Sequence, residues 1–221
     1  IYELDGPGGD EFPATATPRF GFDFTARPLY DLPGVVSEPD PDRRERFGRH
    51  VAVPVRPHLG VIGVAPPGPD RRDSVPPGIF GGNVDNWRFG PGATIRYPVQ
   101  HDGAGFFVGD PHFAQGDGEL CGTAIEASLD ARLRLSIEPR AAPGAPLLEL
   151  GTQVLTHGFG PDLDAAMLAA SREMVALLVD RFDLSRDEAY SLASVAVDLG
   201  ITQVVDGTVG CHAALDTTMF D

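Results

Sequence analysis

Residues 161–200, PDLDAAMLAASREMVALLVDRFDLSRDEAYSLASVAVDLG, mark the place where the hydrophobic period of the chain changes. Leu163, Met167, Ala170, Met174, Leu177 and Leu178 recur at helical spacing, and Asp162 stands before them as an N-cap. A helix is therefore predicted over Asp162–Asp183. Ser185 and Glu188 form a capping-box pair that opens a second helix carrying Ala189, Leu192, Ala193 and Ala196 and ending at Gly200. Two helices set late in a chain of short strands point to an α+β fold.

Upstream of the helices the pattern is different. Val51–Val55, Gly60–Ala65, Ala93–Val99 and Gly105–Val108 are short apolar runs bounded by Gly and Pro, which reads as strands of an antiparallel sandwich or barrel. Gly122–Glu138 reads as one long strand, because Ile125, Leu129, Leu133 and Ile137 sit among polar positions, with Leu147–Thr156 as its partner. Beyond the helices, Ile201–Val205 and Val209–Leu215 are predicted strands joined by a turn at Asp206-Gly207. Residues 1–46 read as an irregular arm with one short strand around Arg19–Thr25, and the arginines from Arg43 to Arg49 as a solvated loop. This divides the chain into an arm (1–46), a β-rich domain (47–146) and an α/β portion holding the helix pair (147–221).

Composition excludes several roles. A net charge of −15 lacks the positive surface a nucleic-acid partner requires. No apolar run approaches the ~18 residues of a membrane span. Two cysteines, Cys121 and Cys211, do not make a disulfide framework, so a reducing cytoplasm is expected. All 17 basic residues are arginine. Without lysine, Ser–Lys amidase chemistry, Glu–Lys–Cys nitrilase chemistry and Schiff-base catalysis have no amine to use.

Between Gly81 and Glu126, acids and histidines crowd among glycines: GGNVDNW, GDPHFAQGDGE and GTAIE. Bare backbone beside carboxylates and imidazole is what a divalent-metal or acid/base site needs. These residues resemble the acetamidase/formamidase family. The matching segments are His58–Pro66, Pro76-Pro77-Gly78 through Gly81–Asp85, Gly109–Glu119, Gly122–Glu126, Asp187–Tyr190 with Ser194 and Asp198, and Ile201–Gly207. The resemblance implies a jelly-roll-like β-domain with a smaller α/β part. It also implies hydrolysis of a small linear amide (cyclic in some members) and a cytoplasmic homo-oligomer. Family members carry a substantial N-terminal segment that this chain lacks, which makes a second polypeptide a candidate partner.

Amide hydrolysis needs an activated water, a stabiliser for the developing oxyanion and a proton for the leaving nitrogen. His58, Asp85 and His112 are the expected ligands of a divalent metal, and two imidazoles favour zinc over calcium, with manganese as a further alternative. Asp110, two residues from His112, faces the same way in a strand, as a further ligand or as the group that fixes the imidazole tautomer. Glu126 is the expected general acid/base and Asn83 the oxyanion donor. Asp117 and Glu119 cap backbone N–H groups of a glycine turn or hold a second cation. Two alternatives stay open: a hydrolase using Cys121 as nucleophile, and a non-catalytic or complementing subunit of an amidase-like assembly.

Overall fold

The computed structural model describes residues 44–47, 51–139 and 141–220. Eleven strands and two helices follow one another in these residues. The strands are β1 (Arg44–Phe47), β2 (Val51–Pro54), β3 (His58–Gly63), β4 (Gly81–Asn83), β5 (Thr94–Arg96), β6 (Phe107–Ala114) and β7 (Ile125–Glu126). They continue with β8 (Leu147–Leu150), β9 (Gln153–Gly160), β10 (Val197–Gln203) and β11 (Val209–Asp216). The helices α1 (Leu163–Phe182) and α2 (Arg186–Ala196) lie between β9 and β10. One sheet has the order β10-β11-β9-β8-β5, a second the order β4-β3-β6-β7, and β1 and β2 form a hairpin. Pairing within all three is antiparallel. The α+β reading, mainly antiparallel sheet with a helix pair, is therefore the observed architecture.

The five-stranded sheet is covered on both faces, and the period of two decides which residue goes where. Val154, Cys211, Ala213 and Leu215 turn toward Ala166, Ala170, Met174 and Leu178 of α1. Their neighbours Leu148, Leu155 and Ala214 turn the other way, onto Leu59 and Ile62 of β3, Val84 and Phe89. Close approach of α1 depends on Gly158, where a Cβ would lie 2.2 Å from the Ala170 nitrogen and 2.3 Å from the Ala166 carbonyl oxygen. Asp162 caps α1 through the Ala165 N–H, and the Ser185–Glu188 capping box opens α2 as expected. Among the described residues no helix is long and apolar enough to cross a membrane.

Several local expectations fail for physical reasons. Within Gly122–Glu138 only Ile125 and Glu126 are strand, and residues 131–139 are exposed, Ile137 at 93%. Alternation marks a face to be buried, but a strand also needs a partner's backbone groups, and none of the described residues supplies them there. Leu147–Thr156 is a hairpin rather than one strand, because Gly151, at φ 59°, turns the chain. The second helix stops at Ala196 instead of Gly200, where Val197 leaves helical geometry and begins pairing with Leu215. Arg44–Phe47, expected in a solvated loop, is β1. The strand β4 escapes prediction because Gly81 and Gly82 sit at φ 86° and 87°, glycine conformations with no strand signal. The short strand expected around Arg19–Thr25 lies outside the described residues.

Candidate active site

Strands β3, β6 and β7 place their chemical groups in one row. His58 is directly opposite His112, and His112 is directly opposite Glu126, so the three side chains share a face. Asp110, two residues before His112 on β6, shares that face. On β3 the space beside Asp110 is left open by Gly60. A Cβ at Gly60 would lie 2.5 Å from Asp85 Oδ1, 2.7 Å from His112 Cε1 and 2.8 Å from Asp110 Oδ2. Gly60 is the floor over which these three groups converge.

The other members arrive on turns. Asp85 follows β4, where its N–H and that of Val84 both donate to the Gly60 carbonyl at 3.1 Å. Glu119 sits in the glycine turn after β6, which docks on β10 through Gly118 N–H to Thr202 O at 2.9 Å and Val204 N–H to Gly118 O at 3.1 Å. Asp206 occupies the turn between β10 and β11. Its N–H and that of Val205 donate to Gln203 Oε1, while Gln203 Nε2 donates to Thr208 O. Asp85, Asp110 and Glu119 hold left-handed φ values of 50°, 51° and 44°. Such backbone costs about 1–3 kcal/mol per residue and tends to cluster where function demands it.

Hydrogen bonding fixes which edge of His112 faces the acids. His58 Nδ1 lies 2.7 Å from the Arg56 carbonyl and donates to it, leaving its Nε2 as an acceptor. Gln115 donates its amide to the Asp85 carbonyl, so its Oε1 turns toward the rings. His112 Nδ1 is 3.1 Å from both Gln115 Oε1 and His58 Nε2 and donates on that side. The opposite nitrogen, Nε2, then points between Asp110 at 3.2 Å and Glu126 at 3.3 Å. It is aligned with neither for a hydrogen bond. Among the described residues His112 Nε2, Asp85 Oδ1 and Asp206 Oδ2 are buried atoms without a hydrogen-bond partner. A fully buried lone pair aimed at carboxylates demands a positive charge.

The same demand appears in the acid–base equilibria. Burial lowers the His112 pKa, but Asp110 and Glu126 outweigh it and hold the imidazolium up to about 11. Burial pushes Glu126 up, and its contact with His112 overcomes this to bring the carboxyl down to about 2. Asp85 is raised to about 10 by burial and by Glu119 and Asp206, Glu119 to about 7 and Asp206 to about 6, each chiefly by burial. Three sets of groups bring ligand atoms within 4.8 Å of one another: Asp85, Asp110 and His112; His112, Glu119 and Glu126; and Asp85, Glu119 and Asp206.

Of the residues expected to share a cation, Asp85 and His112 meet over Gly60, whereas His58 faces His112 on its Nδ1 side, away from the carboxylates. Asp110 and Glu126 lie where the acid cluster opens to solvent, their side chains 37% and 41% exposed. Glu126 also borders a shallow depression with Pro111, Ala127 and Ser128. Asn83, expected at the oxyanion, stands by Asp206 instead, where it helps to hold down that carboxyl's pKa against burial. Asp117 lies apart, accepting from Trp87 Nε1 at 2.8 Å and pairing with Arg88 at 3.0 Å. Cys121 is exposed and its thiol is 3.8 Å from the Thr123 carbonyl. Sequence reasoning missed the roles of Gly60, Gln115 and Asp206. Gln115 lies inside GDPHFAQGDGE and was the most discoverable, whereas Asp206-Gly207 carries only a turn signal.

Residues 69–143 match the Acetamidase/Formamidase family. A 59-residue segment is 51% identical to an acetamidase of Mycolicibacterium smegmatis, covering 26% of this chain and 14% of that protein. The fold is similar to a predicted acetamidase/formamidase from Thermoanaerobacter tengcongensis, with a TM-score of 0.76 and 30% identity over 80% of this chain and 59% of that one. It is also similar to an acetamidase from Bacillus halodurans, with a TM-score of 0.69 and 31% identity over 80% of this chain and 60% of that one. The chain thus spans about 60% of the length of these solved structures.

Proposed function

We propose that this chain, which belongs to the acetamidase/formamidase family through residues 69–143, cleaves the C–N bond of a small amide with water, giving a carboxylate and ammonia or an amine. One observation carries the reading: His112 Nε2 and Asp85 Oδ1, both buried and unpartnered, converge with Asp110 over Gly60. Their donor set, one imidazole and two carboxylates, suits a divalent metal, zinc before manganese or calcium. A cation bound there brings the pKa of its water toward ~7 and polarises a carbonyl.

The remaining work falls to residues of the chain. Glu126, ionised and at the solvent-facing edge, accepts the proton of the attacking water and returns it to the leaving nitrogen. Asp110 stands on the same face of β6 and holds the Nε2 side of His112 in register. His58 and Gln115 act through His112 by fixing its tautomer and ring plane, the support a metal-binding imidazole commonly has. Burial lowers the His58 pKa, which keeps that ring neutral and available as an acceptor. With no lysine in the sequence, a metal-activated water is the nucleophile best matched to these groups.

A cytoplasmic homo-oligomer, with a second polypeptide as a candidate partner, belongs to the same proposal. Ammonia release from formamide and acetamide, measured on the purified chain before and after chelation, is the test. Activity lost on chelation and recovered with zinc supports the reading. Activity that survives chelation but disappears in Cys121→Ala overturns it in favour of the thiol.

A further inference from the structure

We infer that His157, a buried imidazole on the opposite sheet from the candidate site, is a positioning residue for Asp85 and acts on it through the side chain of Asn86. The inference rests on the metal reading of Asp85 and His112 proposed above, but not on the reaction assigned to that metal.

His157 lies on β9, two residues after Leu155, and so shares the sheet face that turns away from α1. It is fully buried, and Phe89 meets its ring edge-on with centroids 5.2 Å apart. Each ring nitrogen has a fixed role. Nδ1 lies 2.8 Å from the Pro146 carbonyl, which can only accept, so Nδ1 carries the proton. Nε2 is then a lone pair, and the Asn86 amide nitrogen donates to it at 3.0 Å. The Asn86 oxygen accepts in turn from the Arg88 N–H at 3.1 Å. The Arg88 guanidinium continues to Asp117, at 3.0 Å, in the glycine turn that carries Glu119. Turning the Asn86 amide over would set lone pair against lone pair at His157 and donor against donor at Arg88. Burial above all, then His212 and Arg88, hold the His157 ring neutral, with its pKa down at about 3.

This relay meets the candidate site at the Asp85–Asn86 peptide. The Asp85 N–H donates to the Gly60 carbonyl at 3.1 Å, and the Asp85 carbonyl accepts from Gln115. Both bonds hold Asp85 from the side of β3 and β6. Asn86, 1% exposed, is tied instead to the five-stranded sheet through His157. Asp85 sits at a left-handed φ of 50°, a conformation that persists where its surroundings over-determine it. The His157–Asn86 bond supplies the hold from the far side, and so fixes where the Asp85 carboxylate points.

The test measures zinc affinity of the whole chain by competition with a chromophoric chelator, with Tm followed in parallel. His157→Leu removes both ring bonds, and Asn86→Ala cuts the same link without altering the sheet. Each is expected to bind zinc at least about tenfold more weakly, the lower end of what loss of a supporting group costs a metal site. His157→Gln can donate to Pro146 and accept from Asn86, and is expected to recover most of the affinity. Val154→Ala, on the opposite face of β9 against α1, lowers Tm by loss of core contacts and is expected to keep native zinc affinity. Nitrogen-15 NMR of the native histidine rings is expected to show His157 protonated on Nδ1. Native zinc affinity in Asn86→Ala or His157→Leu overturns the inference, as does no recovery in His157→Gln, an equal loss in Val154→Ala, or a His157 proton on Nε2. Zinc binding that depends on His157 without amide hydrolysis upholds the inference and rejects the reaction. A native chain that binds no zinc rejects the metal reading and this inference with it.

Discussion

Replacing Gly60 with alanine adds one methyl group at the floor of the cluster. Ordinary carbon contacts settle at about 3.5–4.0 Å. The new carbon would instead meet Asp85 Oδ1 at 2.5 Å, His112 Cε1 at 2.7 Å and Asp110 Oδ2 at 2.8 Å. Gly60 does not use the left-handed region, so its backbone accepts alanine and the effect is confined to space. Relief requires the three groups to retreat by roughly 1 Å, a distance that costs about 10²-fold when it displaces catalytic groups. Overpacking of this kind costs about 1–3 kcal/mol, partly offset by the ~0.4–1 kcal/mol that Gly→Ala contributes through the unfolded chain. The expected outcome is kcat/KM for ammonia release reduced about 100-fold, reduced zinc content and a modest fall in Tm. Gly109→Ala on the adjacent strand, where a Cβ meets nothing within 4 Å, is the matched control and should behave as the native chain. Native kcat/KM and zinc content in Gly60→Ala would refute the reasoning.

Other perturbations test neighbouring parts. The metal-free chain should lose stability as pH rises. Asp85, Glu119 and Asp206 are raised in the fold from ordinary values of 3.8, 4.5 and 3.8 to about 10, 7 and 6, and His112 from 6.5 to about 11, so the folded state holds the extra protons. That stabilisation is lost between about pH 4 and 11. Glu126, held down to about 2, acts oppositely only at lower pH, between its ordinary 4.5 and about 2. Thermal unfolding of the stripped chain from pH 5 to 9 should show a falling Tm, flattened by added zinc; a rise would contradict the assignment. Gln115→Leu takes the side-chain donor from the Asp85 carbonyl, at about 1–3 kcal/mol for a buried group left short of a partner, and leaves His112 Nδ1 with His58 Nε2 alone. It should lower zinc affinity, measured by competition with a chromophoric chelator. Cys121→Ala should retain native kcat/KM, and loss of activity there would restore the thiol as nucleophile.

Much of this arrangement was legible because two short-range rules operate without interference. Asp110 and His112 are two residues apart in a strand and therefore share a face, and Ser185 with Glu188 caps α2 just as its spacing requires. Legibility fails where long-range pairing decides. Nothing local says that His58 lies opposite His112, so the sequence could supply two imidazoles but not which nitrogen of His112 each neighbour would meet. The left-handed backbone of Asp85, Asp110 and Glu119 is invisible in composition, since Asp enters that region in only a minority of its positions and Glu has no preference for it. Asp206 reads as a turn residue until β10 and β11 bring it beside Asp85. Leu133, Leu135 and Ile137 alternate as a strand should, yet stand exposed because alternation cannot create the partner a strand requires.

Crystals of the zinc-loaded chain, with anomalous scattering collected on both sides of the zinc edge, test the central claim most directly. The account predicts a peak over Gly60, about 2.0–2.2 Å from His112 Nε2 and from carboxylate oxygens of Asp85 and Asp110. A peak bound to Cys121, or one with no contact to His112, would contradict it.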